Sequence, residues 1–307
     1  MYFRINDKQR SECKTITSVL LLSAVMVSLL SMPVQANQKK LKNTSKRPQP
    51  DQSIVFKSTP QGDLLINIFL PENVKQGEQR PAIVFFFGGG WVGGAPTQFY
   101  PHSRYLADRG IVAFSAEYRI KSKHKTSPFE CVEDGKSAIR WVRENAARWN
   151  IDPNRIAAGG GSAGGHVASS TSLISGLDAK DENLKVRSTP DAMVLFNPVV
   201  DTTATGWVAG HKRLGDRSNE LSSIHYINAN TPATILFHGT ADTAVPFENV
   251  ERFQKLMKTQ HNRCELFGYE DRKHGFFNFG KGNNEDYLDT VSKMDAFLVS
   301  LGWLSKP

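Results

Sequence analysis

From Arg155 to His166 the chain passes from a short apolar run through a cluster of glycines into alanine-rich sequence. At its centre stands Gly160-x-Ser162-x-Gly164, a pattern that dictates a sharp strand-to-helix turn with a serine at its apex. Such a turn crowds the positions two before and two after the serine, and glycine at both removes the Cβ that would clash. The helix that follows directs its free N–H groups and positive dipole end at the same point. A serine held there can act as a nucleophile if a base lies within reach.

The same residues also fit a second pattern. Gly159-x-Gly161-x-x-Gly164 matches the dinucleotide fingerprint, which requires an acid about 20 residues later at the end of the next strand. The acids near that distance, Asp178, Asp181 and Glu182, fall in a polar loop before the next apolar run begins at Asp191. A base and an orienting acid for Ser162 are better supplied. Asp242 follows the apolar run 234–237, and His274 lies on the loop after the run 264–269. Asp201, which also follows a strand, is the alternative acid. His238 is expected to bond to backbone, His166 to pack beneath the turn, and Asp271 to be a solvated loop charge. Backbone donors for an oxyanion would come from Ala163 and from Gly88-Gly89-Gly90 after the third strand, where glycine permits close approach.

The rest of the chain predicts the frame for these loops. Strands are expected over 54–57 and 63–70 around a Thr59-Pro60-Gln61-Gly62 turn, and continuously apolar, two-face-buried strands over 81–87 and 111–115. Helices are predicted over 99–108, from an N-cap at Ser127 to about residue 149, over 247–259 and over 285–301. Asp152-Pro153-Asn154 is predicted to turn the chain into the next strand, and 192–196 reads as another. Alternating strands and helices predict an α/β fold: one doubly wound, mostly parallel sheet with helices on both faces, occupying 51–307. Ligands of such sheets bind beyond the carboxyl ends of the strands, where every motif above falls.

The N-terminal region is different. Arg4, Lys8, Arg10 and Lys14 precede an apolar stretch over 16–32, and Val34-Gln35-Ala36 supplies small residues for cleavage. Residues 1–36 therefore read as a signal peptide, with no stable membrane insertion after cleavage, and imply a periplasmic or secreted product. Residues 37–50 read as a basic, disordered leader. The chain's net charge of +8 belongs mostly to these ends, with +2 in 1–36 and +5 in 37–50, leaving +1 for 51–307. A near-neutral body argues against a nucleic-acid partner. After cleavage Cys131 and Cys264 remain, on elements far apart in the expected sheet, and are expected to be free and buried. No metal-ligand spacing appears among the histidines, so neither a metal nor another cofactor is expected.

The chain resembles α/β-hydrolase esterases of the hormone-sensitive-lipase-like group, through Gly88-Gly89-Gly90-Trp91 and Gly161-Ser162-Ala163-Gly164-Gly165. It is more similar still to secreted bacterial acetylxylan- or feruloyl-esterase-like enzymes, through 85–91, 237–242 and His274-Gly275-Phe276-Phe277. The resemblance implies the α/β-hydrolase fold, a Ser162–Asp242–His274 triad, and an oxyanion hole formed by Gly89, Gly90 and Ala163. Two positions depart from it: Phe87 replaces the histidine that usually braces the glycine loop, and Gly161 replaces the acid before the serine. Trp91 and Phe277, with Phe276, are expected to wall a short acyl pocket. The insertion over 201–231, with few large apolar residues, is expected to be a wet surface rather than a lipase cover. The expected substrate is a small-molecule or oligosaccharide ester, acetylated above all, with a broad carboxylesterase or serine peptidase as the alternatives.

Overall fold

The computed structural model describes residues 47–72 and 77–306. The expected signal peptide and residues 37–46 of the leader lie outside them. The last leader residues, 47–50, have no regular secondary structure but run along the body, where Arg104 Nη2 donates to the Gln49 carbonyl at 3.5 Å.

The described residues contain eight strands: β1 (Gln52–Thr59), β2 (Gly62–Phe69), β3 (Arg80–Phe86), β4 (Val112–Ala116), β5 (Ile151–Gly161), β6 (Ala192–Phe196), β7 (Ala233–Gly239) and β8 (Cys264–Tyr269). They form one sheet in the order β1-β2-β4-β3-β5-β6-β7-β8. Pairing is antiparallel from β1 to β2 and β2 to β4, and parallel from there on. The helices are α1 (Tyr100–Asp108), α2 (Lys121–His124), α3 (Pro128–Glu144), α4 (Ala163–Leu173), α5 (Val208–Leu214), α6 (Phe247–Thr259) and α7 (Glu285–Ser300). The eight-stranded, mostly parallel arrangement is the expected α/β-hydrolase architecture.

Strands β4 and β6 are buried at every position, which explains their continuous apolar sequence. Helices α1 and α7 are tied together by Tyr105 and Arg109, which both donate to Asp295 Oδ2. Helix α3 starts as its sequence predicts, with Pro128 in its first turn. A capping box joins Ser127 and Glu130, whose carboxylate accepts from the Ser127 N–H at 2.8 Å.

Two elements differ from expectation. The Asp152-Pro153-Asn154 turn does not precede β5 but is absorbed into it as an irregularity. Arg80 pairs with Ile151 while Ala82 pairs with Ile156, and Asp152 Oδ1 takes the Asn154 N–H at 2.9 Å. The segment 201–231 is more ordered than its composition suggests, folding into α5 and short 3-10 turns over 215–221 and 223–226. Cys131 and Cys264 are free and buried. Among the described residues no helix is long and apolar enough to cross a membrane.

Candidate active site

Strand β5 ends in the predicted turn. Ser162 sits between β5 and α4 with φ 56° and ψ −121°, a conformation that costs a non-glycine residue about 1–3 kcal/mol. Its backbone is held on both sides: its N–H donates to the Phe196 carbonyl at 2.9 Å, and its carbonyl accepts from His166 at 3.0 Å and Val199 at 3.2 Å. The flanking glycines are required by space. A Cβ at Gly160 would lie 2.4 Å from the Gly164 carbonyl oxygen, and one at Gly164 would lie 2.1 Å from that of Phe86. Gly161, where the resemblance leads one to expect an acid, has no room for one, because a Cβ would meet the Phe277 ring at 2.7 Å.

The structure brings the three predicted side chains into one line. Ser162 Oγ lies 2.9 Å from His274 Nε2, and His274 Nδ1 lies 2.6 Å from Asp242 Oδ2. Asp242 Oδ1 accepts from the Ala244 N–H at 2.8 Å and the Val245 N–H at 3.0 Å. Burial raises the Asp242 pKa, but hydrogen bonds from His238, His274 and Val245 outweigh it and hold the carboxyl well below the ordinary carboxylate range. A permanently ionised acid behind an imidazole that faces a hydroxyl is an arrangement for moving the serine proton and stabilising the imidazolium that results.

Asp201, His166 and Asp271 take no part in this relay, and His238 touches only its acid. Asp201 binds Arg252 and the Thr203 N–H and hydroxyl. Buried His238 places Nε2 3.0 Å from the Val245 carbonyl and 3.2 Å from Asp242 Oδ2, so it does more than the backbone bonding expected of it. His166 is fully buried behind the turn, with Nε2 2.7 Å from the Leu221 carbonyl. Asp271 is exposed on its loop.

The triglycine loop passes directly over the serine, for a Cβ at Gly88 would lie 3.3 Å from Ser162 Cβ. Gly89 and Gly90 have φ of 132° and 62°, which turns the loop back on itself. The Gly88 N–H is occupied by Gln98 Oε1 at 2.6 Å. Among the described residues the N–H groups of Gly89, Gly90 and Ala163 have no such partner, leaving them available to an oxyanion. With Phe87 in place of a bracing histidine, other groups hold this loop. Phe87 stacks on Tyr118 with centroids 4.3 Å apart, and the Tyr118 hydroxyl donates to the Phe87 carbonyl at 2.6 Å. Gln98 Nε2 donates to Asn278 Oδ1 at 2.9 Å, and Asn278 Nδ2 to the Gly275 carbonyl at 2.8 Å, tying the glycine loop to the loop that carries His274.

The cleft above Ser162 encloses about 330 Å³ and is lined by the three glycines, Gln98, Trp207, Arg213, His274 and Phe277. Phe277 is where it was expected. Trp91 is not: it is 2% exposed and lies beneath the loop, its ring 5.0 Å from His166 and 5.6 Å from Trp207. Its backbone φ is 60°, and it contributes to the lining of a neighbouring depression instead of the Ser162 cleft. Trp207 from the insertion takes the wall position, its Nε1 donating to the Ala244 carbonyl at 2.6 Å. Phe276 packs on Tyr269 instead, with centroids 4.6 Å apart. No cluster of potential metal ligands occurs among the described residues.

Fold and site together define an α/β-hydrolase of the serine-esterase class. Within that class the chain belongs to the BD-FAE family, whose sequence pattern matches residues 66–257. It is 30% identical over 223 residues to an acetylxylan esterase of Xylanibacter ruminicola, an alignment covering 68% of this chain and 42% of that protein. It is 28% identical over 225 residues to esterase LipC of Mycobacterium tuberculosis, covering 64% and 53% respectively. The chain thus spans about half the length of these curated relatives. Among solved structures, apo Thermogutta terrifontis esterase 2 superposes with a TM-score of 0.81 and 44% identity, covering 85% of this chain and 98% of that one. That esterase has also been solved phosphorylated by paraoxon and with propionate or butyrate bound.

Proposed function

We propose that the protein is a serine esterase, periplasmic or secreted, that removes short acyl groups, acetyl foremost, from carbohydrate or other small esters. The observation that carries this reading is the continuous relay from Asp242 Oδ2 through His274 to Ser162 Oγ, with bonds of 2.6 and 2.9 Å. Ser162 Oγ attacks the ester carbonyl while its proton passes to His274 Nε2. The carbonyl oxygen becomes an oxyanion facing the Gly89, Gly90 and Ala163 N–H groups. Collapse expels the alcohol, which takes the proton from His274 and leaves an acyl group on Ser162. Water, deprotonated by His274, then releases the acid and restores the serine.

A short acyl group is supported by the cleft. Its volume of about 330 Å³ is at the small end for ligand sites, and Phe277 and Trp207 line it. The propionate and butyrate complexes of the Thermogutta esterase support the same range. The acetylxylan esterase relative supports a carbohydrate alcohol. A broad carboxylesterase is the second reading, favoured by relatives named only as esterases or carboxylesterases. Export is supported by the charged, apolar and small-residue pattern of residues 1–36.

The test is kcat/KM across p-nitrophenyl esters from acetyl to octanoyl, together with acetylated xylo-oligosaccharide. Each methylene that a closed pocket excludes forfeits about 0.8 kcal/mol of burial, so the profile should fall steeply beyond butyryl. A flat or rising profile removes the short-acyl reading, and inactivity on acetylated oligosaccharide leaves the broad carboxylesterase.

A further inference from the structure

The rim of the cleft carries a charge pattern that ester chemistry does not use. Over 51–307 the net charge is only +1, yet the charged residues lining the surface beside the glycine loop are all cationic. A second depression of about 330 Å³ opens there and shares Gly90 and Arg213 with the Ser162 cleft. Its charged lining residues are Lys121, Lys212 and Arg213, drawn from α2 and α5. None of the three is in an ion pair with a carboxylate among the described residues. The neighbouring acid Glu130 is committed to the Ser127 N–H and hydroxyl. Arg213 is fixed in place, its Nη1 donating to the Gly90 carbonyl at 2.9 Å and its guanidinium lying 5.5 Å from the Trp207 ring centroid. The Thr126 hydroxyl, also in the lining, is buried without a hydrogen-bond partner.

Three unpaired cations around one concavity repel each other, and an anion seated among them relieves that repulsion. The surface beyond His274 is mixed: Arg272, Lys273 and Lys281 line it together with Glu285 and Asp286, and Arg272 is paired with Asp286 at 2.7 Å. Of the two surfaces, only the Gly90 side has a charged lining that is cationic throughout, which makes it the better seat for an anionic group. If a short acyl group fills the cleft, the part of the substrate that projects into this depression is the alcohol.

We propose that the depression formed by Lys121, Thr126, Lys212 and Arg213 is a subsite for a carboxylate on the alcohol portion of the ester, making the preferred substrate class acylated, uronic-acid-bearing oligosaccharides. This rests on the short-acyl esterase reading. The test compares kcat/KM of the full chain on acetylated xylo-oligosaccharides with and without a glucuronic acid branch. Exposed ion pairs of this kind are individually weak, so the acidic substrate should be favoured by roughly three- to tenfold at low ionic strength, through KM. The preference should vanish in about 0.5 M salt, where the Debye length is only a few ångströms. In the double variant Lys121→Gln/Lys212→Gln the ratio should fall to near one. Independently of any variant, the unacetylated acidic oligosaccharide should inhibit hydrolysis of p-nitrophenyl acetate better than its neutral counterpart. Equal turnover of both oligosaccharides by the unaltered protein overturns the subsite and leaves the esterase reading standing. A preference that survives both high salt and the double variant also overturns it, and hydrolysis of neither oligosaccharide, with p-nitrophenyl acetate still cleaved, overturns the subsite and leaves the broad carboxylesterase.

Discussion

The two loops that bear on Ser162 are held in opposite ways. On the acid–base side, Asp242 is fixed by its own neighbourhood: the Ala244 and Val245 N–H groups two and three residues on, and His238 four residues back. On the oxyanion side, the glycine loop is held from a distance. Tyr118 is 31 residues from the Phe87 carbonyl it binds, Arg213 is 123 from Gly90, and the Gln98–Asn278 bond spans 180. A loop fixed by local hydrogen bonds carries its geometry in a short stretch of sequence. A loop fixed by tertiary contacts owes its geometry to the whole fold, and gradual damage to it should give graded losses.

Breaking the local side should have the largest effect. Asp242→Asn keeps the size of the side chain but removes the charge that stabilises the imidazolium and selects its tautomer, so kcat should fall on the order of 10⁴-fold. A mild loss, with Asp201→Asn the crippling change instead, would move the acid to Asp201. Breaking the distant side should cost less. Gln98→Ala frees the Gly88 N–H and cuts the link to Asn278, and kcat should drop roughly 10- to 100-fold with little change in KM. Gln98→Glu keeps the acceptor for Gly88 and should retain more activity than Gln98→Ala. Equal loss in both variants would mean that Gln98 does not act through Gly88.

The smallest effect concerns the buried histidines behind the two loops. His166 packs behind the serine turn, and His102 lies among Phe99, Phe196 and Phe277 with neither ring nitrogen hydrogen-bonded. Burial lowers the pKa of His102 to about 3 and, against one backbone hydrogen bond, that of His166 to about 4. Both folded values lie below the ordinary 6.5, so the unfolded chain binds protons that the folded one refuses. The stability they contribute is fully present above pH 6.5 and is lost as the pH falls toward those values, at up to about 1.4 kcal/mol per pH unit for each ring. Tm measured between pH 7 and pH 4.5 should fall accordingly, and His102→Phe should flatten the slope. A pH-independent Tm would show that the rings are solvated.

Much of the arrangement was legible in the sequence because it rests on short motifs. Gly160-x-Ser162-x-Gly164 specifies its turn through sterics within five residues. Asp242 and His274 follow short runs that read as strands, and the continuously apolar runs 81–87 and 192–196 mark strands buried on both faces. What was not legible depends on long-range packing. Trp91 follows the glycine loop and reads as a pocket wall, but it is buried against His166 and Trp207, and Trp207 stands at the cleft instead. The charged insertion hides that role, since Trp207 is one apolar residue in a polar context. Gln98 carries no motif at all. The one available signal was the absence of a bracing histidine at Phe87, which demanded some other support for the loop.

The central claim is that Ser162 is the nucleophile activated by His274, and covalent labelling tests it most directly. The protein should be treated with a fluorophosphonate at neutral pH, digested, and the modified peptide located by mass spectrometry. One adduct per chain is expected, on the peptide containing Ser162, with loss of esterase activity in step with labelling. Ser162→Ala should take up no label, and His274→Ala should label far more slowly. Labelling at another residue, or undiminished ester hydrolysis by pure Ser162→Ala protein, would contradict the account.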